Sequence, residues 1–386
     1  MKAQLVIAAV ILAATSVLSA CSGSTESTAA YDGPIGSVNL REVCPAKIVV
    51  QSGWNPEAEF GYLYNLISKQ PMVDAANKST IGPLFAKGEY TGVDLEIRSG
   101  GPAIGFQPVS SRMYADRDIM LGFIDLEESV ATADTAPTVS VFAPLEKNPQ
   151  MIMWDPATYP QVKTIADLKA AKAKVMYFQG EAYMSYLVGA GILDKDQVDA
   201  SYDGTPSFFV AEGGKAAQQG FASTEPYVYE NQVPQWKKPV AYQLVADAGF
   251  PTYKSTLAVR GGDLAGYSAC LKKLVPVIQQ SMVDFLAAPD AANKVIVDSV
   301  AGFATGWTYD KNNADFAVKS MVSEGIVGNG PNPTVGDFDT ARVQTIMDIA
   351  TPIYKAEGVT IPAGLTPGKV ATNEFIDPAI GLAKTP

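Results

Sequence analysis

Carboxylates and aromatic rings set in short loops are the side chains of this sequence best fitted to do chemistry. One loop holds Trp54, Glu57 and Glu59, a second Gly100, Gly101, Phe106 and Gln107, and a third opens with Asp125 and Glu127. Gly180, Glu181 and Tyr183 follow, and then Glu225 and Tyr227 in the run Ser223-Thr224-Glu225-Pro226-Tyr227. Carboxylates accept hydrogen bonds and balance positive charge. An indole offers a flat apolar face for stacking, and glycines let backbone N–H groups come close to a bound molecule. Near these loops Arg98 alone has the opposite sign. A buried sulfonate or nitrate would need paired cations or converging donors, whereas an aminated heterocycle or other amine donates to carboxylates. The set points to an aromatic, nitrogen-bearing small molecule. Plainer readings stay open beside it. Trp54 could be a core or surface tryptophan, the glycines a turn, Asp125 and Glu127 complements to a helix dipole, and the remaining acids solvated charges.

The chain contains no histidine. That removes Ser-His-Asp and Cys-His catalysis, histidine-containing metal sites and the commonest general base near neutral pH. No phosphate-binding Gly-x-x-x-x-Gly-Lys-Ser/Thr loop is present. Gly100-Gly101-Pro102-Ala103-Ile104-Gly105 has the wrong spacing for a dinucleotide fingerprint. Carboxylate-only catalysis of the glycosidase type stays open, but the expectation is a binding protein that is not an enzyme and carries no cofactor. A net charge of −11 opposes nucleic-acid binding, which needs a basic face.

Three cysteines divide into two roles. Met1 and Lys2, the apolar run Leu5–Ala14 and then Leu18-Ser19-Ala20-Cys21 describe a secretory signal over residues 1–20. A cysteine directly after Leu-Ser-Ala is the pattern of bacterial lipoproteins, in which the Cys21 thiol receives the lipid. A plain secretory signal is the alternative. Residues 21–43 read as a tether rich in Ser, Thr, Gly and Ala at its start. Cys44 and Cys270 remain, and in an oxidising compartment they are expected to pair. Closing that loop would be worth roughly 4–5 kcal/mol in the entropic model. Two buried free thiols are the alternative.

These loops need elements to position them. About 340 residues after the tether exceed what one core supports, so two lobes are expected. Short β-branched runs alternate with helical periodicity, which predicts an α/β fold of two mostly parallel sheets flanked by helices. The strands of the first lobe (residues 44–145) are read at 47–51, 93–97, 119–124 and 137–142. Phe60, Leu63, Tyr64 and Ile67 form a helical stripe between the first two. The second lobe (146–250) has strands at 151–154, 174–178 and 240–245, with 217–222 leading into the Ser223-Thr224-Glu225-Pro226 motif and Thr164 as a helix N-cap. Residues 251–386 return to the first lobe with a strand at 257–260. A long helix then steps through Leu264, Tyr267, Leu271, Leu274, Ile278, Met282 and Phe285, with Pro276 expected to kink it. The remaining helices are expected to pack back on the first lobe. Crossings fall near 143–150 and 246–256. Ligands of open α/β sheets sit beyond the carboxyl ends of strands, so a cleft is expected between the lobes.

Gln51-Ser52-Gly53-Trp54-Asn55-Pro56-Glu57-Ala58-Glu59, with Gly61 and Tyr64 after it, resembles the opening strand and loop of one family of binding proteins. That family serves thiamine pyrimidine precursors, riboflavin, sulfonates and nitrate. Thr164-Ile165-Ala166-Asp167-Leu168-Lys169 is similar to the family's helix after the crossover, and the likeness continues through Ala190-Gly191-Ile192 and Ala217 to Glu225-Pro226. The resemblance implies the type II periplasmic-binding-protein fold. It also implies a monomeric lipoprotein, lipid-anchored at the extracytoplasmic face of the cell membrane, that passes a small nutrient to the membrane permease of an ABC importer. The nutrient it implies is similar to a thiamine pyrimidine precursor, with a sulfonate- or nitrate-type anion, or a sensory role, as alternatives. It sets Gln51 beside Trp54 at the cleft and aims the segment of Glu225 and Tyr227 at it. Where pyrimidine binders carry asparagines and a histidine after the tryptophan, this chain has Glu57, Glu59 and Phe60.

Overall fold

The computed structural model describes residues 31–383. Residues 1–30, expected to hold the signal sequence, Cys21 and the start of the tether, lie outside the described residues. Residues 35–43, read as the end of the tether, belong instead to the body. Ile35 bridges to Tyr90, the Gly36 N–H donates to the Tyr90 carbonyl at 2.8 Å, and Leu40 is fully buried. Burial of one such aliphatic side chain is worth roughly 1.5–3 kcal/mol, enough to fasten a short segment.

In chain order the strands are β1 (Lys47–Gln51), β2 (Met72–Asp74), β3 (Ser79–Ala86), β4 (Glu89–Arg98), β5 (Ile119–Ile124), β6 (Thr138–Phe142), β7 (Gln150–Trp154), β8 (Lys174–Met176), β9 (Val198–Asp199), β10 (Ala216–Phe221), β11 (Ala241–Leu244) and β12 (Thr256–Arg260). One sheet has the order β2-β3-β4-β1-β5-β12-β6, the other β11-β7-β10-β8-β9. Both are mixed, which corrects the expectation of mostly parallel sheets. β1 pairs in parallel with β4 and β5, and β8 with β9 and β10. β3 runs antiparallel to β2 and β4, β12 to β5 and β6, and β7 to β10 and β11. The β2–β3–β4 meander hides in the sequence because Gly82 and Pro83, both poor strand residues, interrupt β3. The other reversals arise where the chain enters or re-enters a sheet across the gap.

The helix Gly61–Ile67 packs between the first sheet and the helix Leu264–Ala287, and Phe60, Leu63, Tyr64 and Ile67 are buried on the expected stripe. Leu264–Ala287 runs on through Pro276. Thr164 caps the helix Ile165–Ala171 in a reciprocal box, its N–H donating to the Asp167 carboxylate at 2.8 Å. The C-terminal helices do not pack on the first lobe alone. Lys311–Ser323 meets the second-lobe helix Glu225–Asn231, and Thr340–Ala356 touches both Leu126–Ala131 and Ala182–Gly189. No helix among the described residues is long and apolar enough to cross a membrane.

The chain passes between the sheets after β6 and again after β11, and Arg342 holds both passages. Its guanidinium donates to the Glu146 carbonyl at 2.7 Å and carboxylate at 3.1 Å, and to the carbonyls of Pro251 at 2.8 Å and Thr252 at 3.3 Å. It also lies 3.7 Å from the centre of the Tyr253 ring. Only a planar fork of donors reaches this many acceptors at once. Cys44 and Cys270, 226 positions apart, form a disulfide that ties the start of the body to the helix Leu264–Ala287.

Candidate ligand-binding cleft

A cavity of about 740 Å³ opens between the two sheets. Most of its lining comes from loops that follow strand carboxyl ends: Trp54, Glu57 and Glu59 after β1, Gly101, Phe106 and Gln107 after β4, and Asp125 and Glu128 after β5. The opposite wall repeats the arrangement with Phe178 and Glu181 after β8, Tyr202 and Asp203 after β9, and Thr224 and Glu225 after β10. Lys254 and Ser255 enter from the second crossing, and Trp307 from the C-terminal part.

Trp54 stands at the centre of an aromatic group. Its ring centroid lies 6.0 Å from Phe106, 6.3 Å from Phe178 and 6.0 Å from Trp307, and Phe178 is 4.8 Å from Tyr202. Its loop is held tightly. The Gln51 amide donates to the carbonyls of Ser52 at 3.1 Å and Ser99 at 2.9 Å, and the Ser52 hydroxyl donates to the Trp54 carbonyl at 2.7 Å. The Gly100 N–H donates to the Trp54 carbonyl at 2.9 Å and the Gly101 N–H to Gly53 at 3.0 Å. That approach needs glycine. A Cβ on Gly100 would lie 2.2 Å from the Ser52 carbonyl oxygen, and one on Gly101, whose φ is +55°, 2.7 Å from the indole. Phe106, at the lip, is 61% exposed and also has a left-handed φ of 57°.

Acids dominate the polar lining. Glu57 and Glu59 are 6% and 2% exposed. Burial, then the charges of Glu59 and Glu225, raises the Glu57 carboxyl far above the ordinary range, against a smaller pull from Lys254. Burial also raises Glu59, although the Ser223 hydroxyl donates to it from the second lobe. Desolvation lifts Glu225 to about 7, even though its carboxylate accepts from the Phe221 N–H at 2.6 Å. Lys254, the one cation among the lining residues, is 2.5 Å from Asp125. Burial opposes its charge, but Asp125, Glu181 and Glu127 outweigh this and hold it protonated. Three lining residues carry buried polar atoms with no hydrogen-bond partner among the described residues: Glu59 Oε2, Thr224 Oγ1 and Trp307 Nε1.

Of the residues singled out on sequence, Trp54, Glu57, Glu59, Gly101, Phe106, Gln107, Asp125, Glu181 and Glu225 line the cavity. The other six do not. Gln51 and Gly100 instead build the Trp54 loop. Glu127 is buried behind the lining, where the Thr252 hydroxyl donates to it, and Glu128, one residue on, takes the lining position. Gly180 is an exposed turn residue at φ 89°. The Tyr183 hydroxyl donates to Gln219 Oε1 at 2.8 Å, and the same oxygen accepts from the Phe178 N–H at 2.7 Å, so Tyr183 supports the wall from behind. Tyr227 is half-buried, its ring 5.6 Å from that of Phe316 on Lys311–Ser323. Arg98 is also corrected as the nearby cation, being bound to Glu96 and Asp116, both at 2.7 Å, away from the lining. Lys254, Tyr202, Phe178, Gln219 and Trp307 were not singled out. Lys254 had a signal, since it lies in an expected crossing, and Trp307 had one as a lone indole after Gly306 in a short connection.

No known family profile matches the chain, and no curated protein matches it in sequence. Among solved structures it is similar to the periplasmic aliphatic sulphonate binding protein of Escherichia coli, with 16% identity, a TM-score of 0.52, and 89% of this chain and 96% of that chain covered. A protein of Bordetella bronchiseptica RB50 is similar at 13% identity and a TM-score of 0.50, with 86% and 96% covered. The alkanesulfonate-binding protein of Xanthomonas axonopodis pv. citri bound to MOPS has 12% identity and a TM-score of 0.49, with 85% and 98% covered. With two mixed sheets, flanking helices and a cleft between them, the chain has the periplasmic-binding-protein fold.

Proposed function

We propose that this chain is an extracytoplasmic solute-binding lipoprotein that captures a small, nitrogen-bearing aromatic molecule for the permease of an ABC importer. The observation that carries the reading is the cleft itself. Loops from both sheets bring aromatic faces and buried acceptors to one cavity of about 740 Å³, within the size range of small-molecule sites. The fold likeness supports a transport role over an enzymatic one, and the lack of histidine agrees with it. Anchoring through Cys21, work as a monomer and the location outside the cytoplasm belong to the same proposal.

A second reading has its own support. The Escherichia coli protein of the same fold is named for aliphatic sulphonates, and a sulfonate- or nitrate-type anion would suit Lys254. Against it, Lys254 is already engaged by Asp125, and the surrounding charge is acidic. Mass spectrometry of whatever small molecule the natively purified protein releases on denaturation, followed by calorimetry with that compound, tests both. An aromatic amine supports the first reading and a sulfonate the second. A protein that neither releases a compound nor is stabilised by any member of a panel of heterocyclic amines and sulfonates is not a solute-binding protein.

A further inference from the structure

We infer that the cleft takes an organic cation, its charged nitrogen seated against Glu57, Glu59 and Glu225 and its apolar groups against Trp54, Phe178 and Trp307. The inference rests on the solute-binding reading above and adds a sign of charge to it. Glu57 and Glu59 are almost completely enclosed, at 6% and 2% exposure. Among the described residues, no lysine or arginine forms an ion pair with these two or with Glu225. The lysine of the lining is held by Asp125 at 2.5 Å. Among the described residues Glu59 Oε2 is buried with no hydrogen-bond partner, although its other oxygen accepts from Ser223. Burial without a counter-charge opposes ionisation of all three carboxyls. Three gathered at one cavity by both lobes make sense where a cation arriving from outside supplies the counter-charge and lets them ionise.

The neighbouring wall says what kind of charge arrives. Trp54 and Trp307 meet edge to face at 6.0 Å, and Phe178 lies 6.3 Å from Trp54. Ring faces attract cations through their quadrupole, tryptophan most strongly, and cages of such rings select alkylated ammonium groups. A metal ion does not fit. The described residues contain no group of three acidic, histidine or cysteine side chains arranged to hold one, and hard cations require a shell of oxygen ligands that an aromatic wall does not supply. An anion would find no positive charge among the same three acids and would oppose their ionisation further.

Three probes of similar size separate the possibilities: choline, its uncharged isostere 3,3-dimethylbutan-1-ol, and 2-hydroxyethanesulfonate. Each is titrated by calorimetry and melting, with sodium chloride matching the ionic strength. Choline should bind saturably and raise the melting temperature, while the alcohol and the sulfonate bind at least tenfold more weakly. Glu59→Gln retains an oxygen to accept from Ser223 and should lose choline binding by tenfold or more. Without any probe, Glu57→Gln and Glu59→Gln should lose less melting temperature than the unsubstituted protein as pH rises, because a carboxyl whose burial opposes ionisation is removed. Equal or tighter binding of the alcohol or the sulfonate overturns the cation and leaves the solute-binding reading standing. Glutamine variants that melt with an unchanged pH slope and bind choline unchanged overturn it as well. Failure to respond to all three probes and to the heterocyclic amines overturns both.

Discussion

The Ser223 hydroxyl, on the second lobe, donates a hydrogen bond to the carboxylate of Glu59 on the first. Both groups are buried, so this bond ties the two walls of the cleft together at their base. Replacing Ser223 with alanine leaves a buried carboxylate without its donor, and the expected cost is roughly 1–3 kcal/mol. Thermal melting of Ser223→Ala checks the cost, and solution scattering should show a slightly larger particle.

Trp54→Ala removes the ring that touches Phe106, Phe178 and Trp307. Loss of a stacking face is worth roughly 1–3 kcal/mol, or about 5- to 150-fold in affinity. A fully enclosed tryptophan would cost about 3–5 kcal/mol of stability, but Trp54 is only partly buried. Affinity should therefore fall while the melting temperature moves little. A large drop in melting temperature would make Trp54 a core residue.

Stability without ligand should decrease as pH rises. Glutamates in an unfolded chain lose their protons near pH 4.3 or so. In the folded protein burial raises Glu225 and Glu128 to about 7 and Glu127 to about 8. Between these limits the native state holds protons that the unfolded state has released, so each unit of pH disfavours folding until the folded groups have titrated. Melting should decline from about pH 4 to about pH 8, with Glu127→Gln flattening the slope. A melting temperature that climbs across this window would contradict the burial of these acids.

Cys44 and Cys270 should give no alkylatable thiol in the unfolded, unreduced protein, and two after reduction, by intact mass. Closing a 226-residue separation stabilises by about 5 kcal/mol in the entropic model. Cys44→Ser with Cys270→Ser should melt well below the parent.

Cys21→Ala should move the protein from the membrane fraction to the soluble one and abolish metabolic lipid labelling. Unchanged membrane association would remove the anchor from the proposed function.

Much of the cleft was legible because strand carboxyl ends are readable from local pattern. β1, β5 and β10 are runs bounded by loops, and the residues just beyond them, Trp54, Asp125 and Glu225, line the cavity. Side-chain direction was not legible. Glu127 and Glu128 are adjacent, and the helix turns one inward and the other to the cleft. Tyr183 and Tyr227 sit in the right loops but their hydroxyl and ring are claimed by Gln219 and Phe316. Lys254 and Trp307 arrive through tertiary return from about 200 and 250 residues beyond Trp54, which no local periodicity encodes. The antiparallel reversals escaped for the same reason, since strand direction is settled by pairing.

The bond between Cys44 and Cys270 also decides how the body bears a pull. Tension applied along the N-terminal segment reaches its first covalent branch at Cys44, three residues before β1 begins. There it can pass sideways into the 24-residue helix Leu264–Ala287 instead of along Lys47–Gln51. A pull shared in this way would reach the strand that carries Trp54 at its end only in part. If the body is tethered through its N-terminus, as proposed, this branch would spare the cleft part of the load.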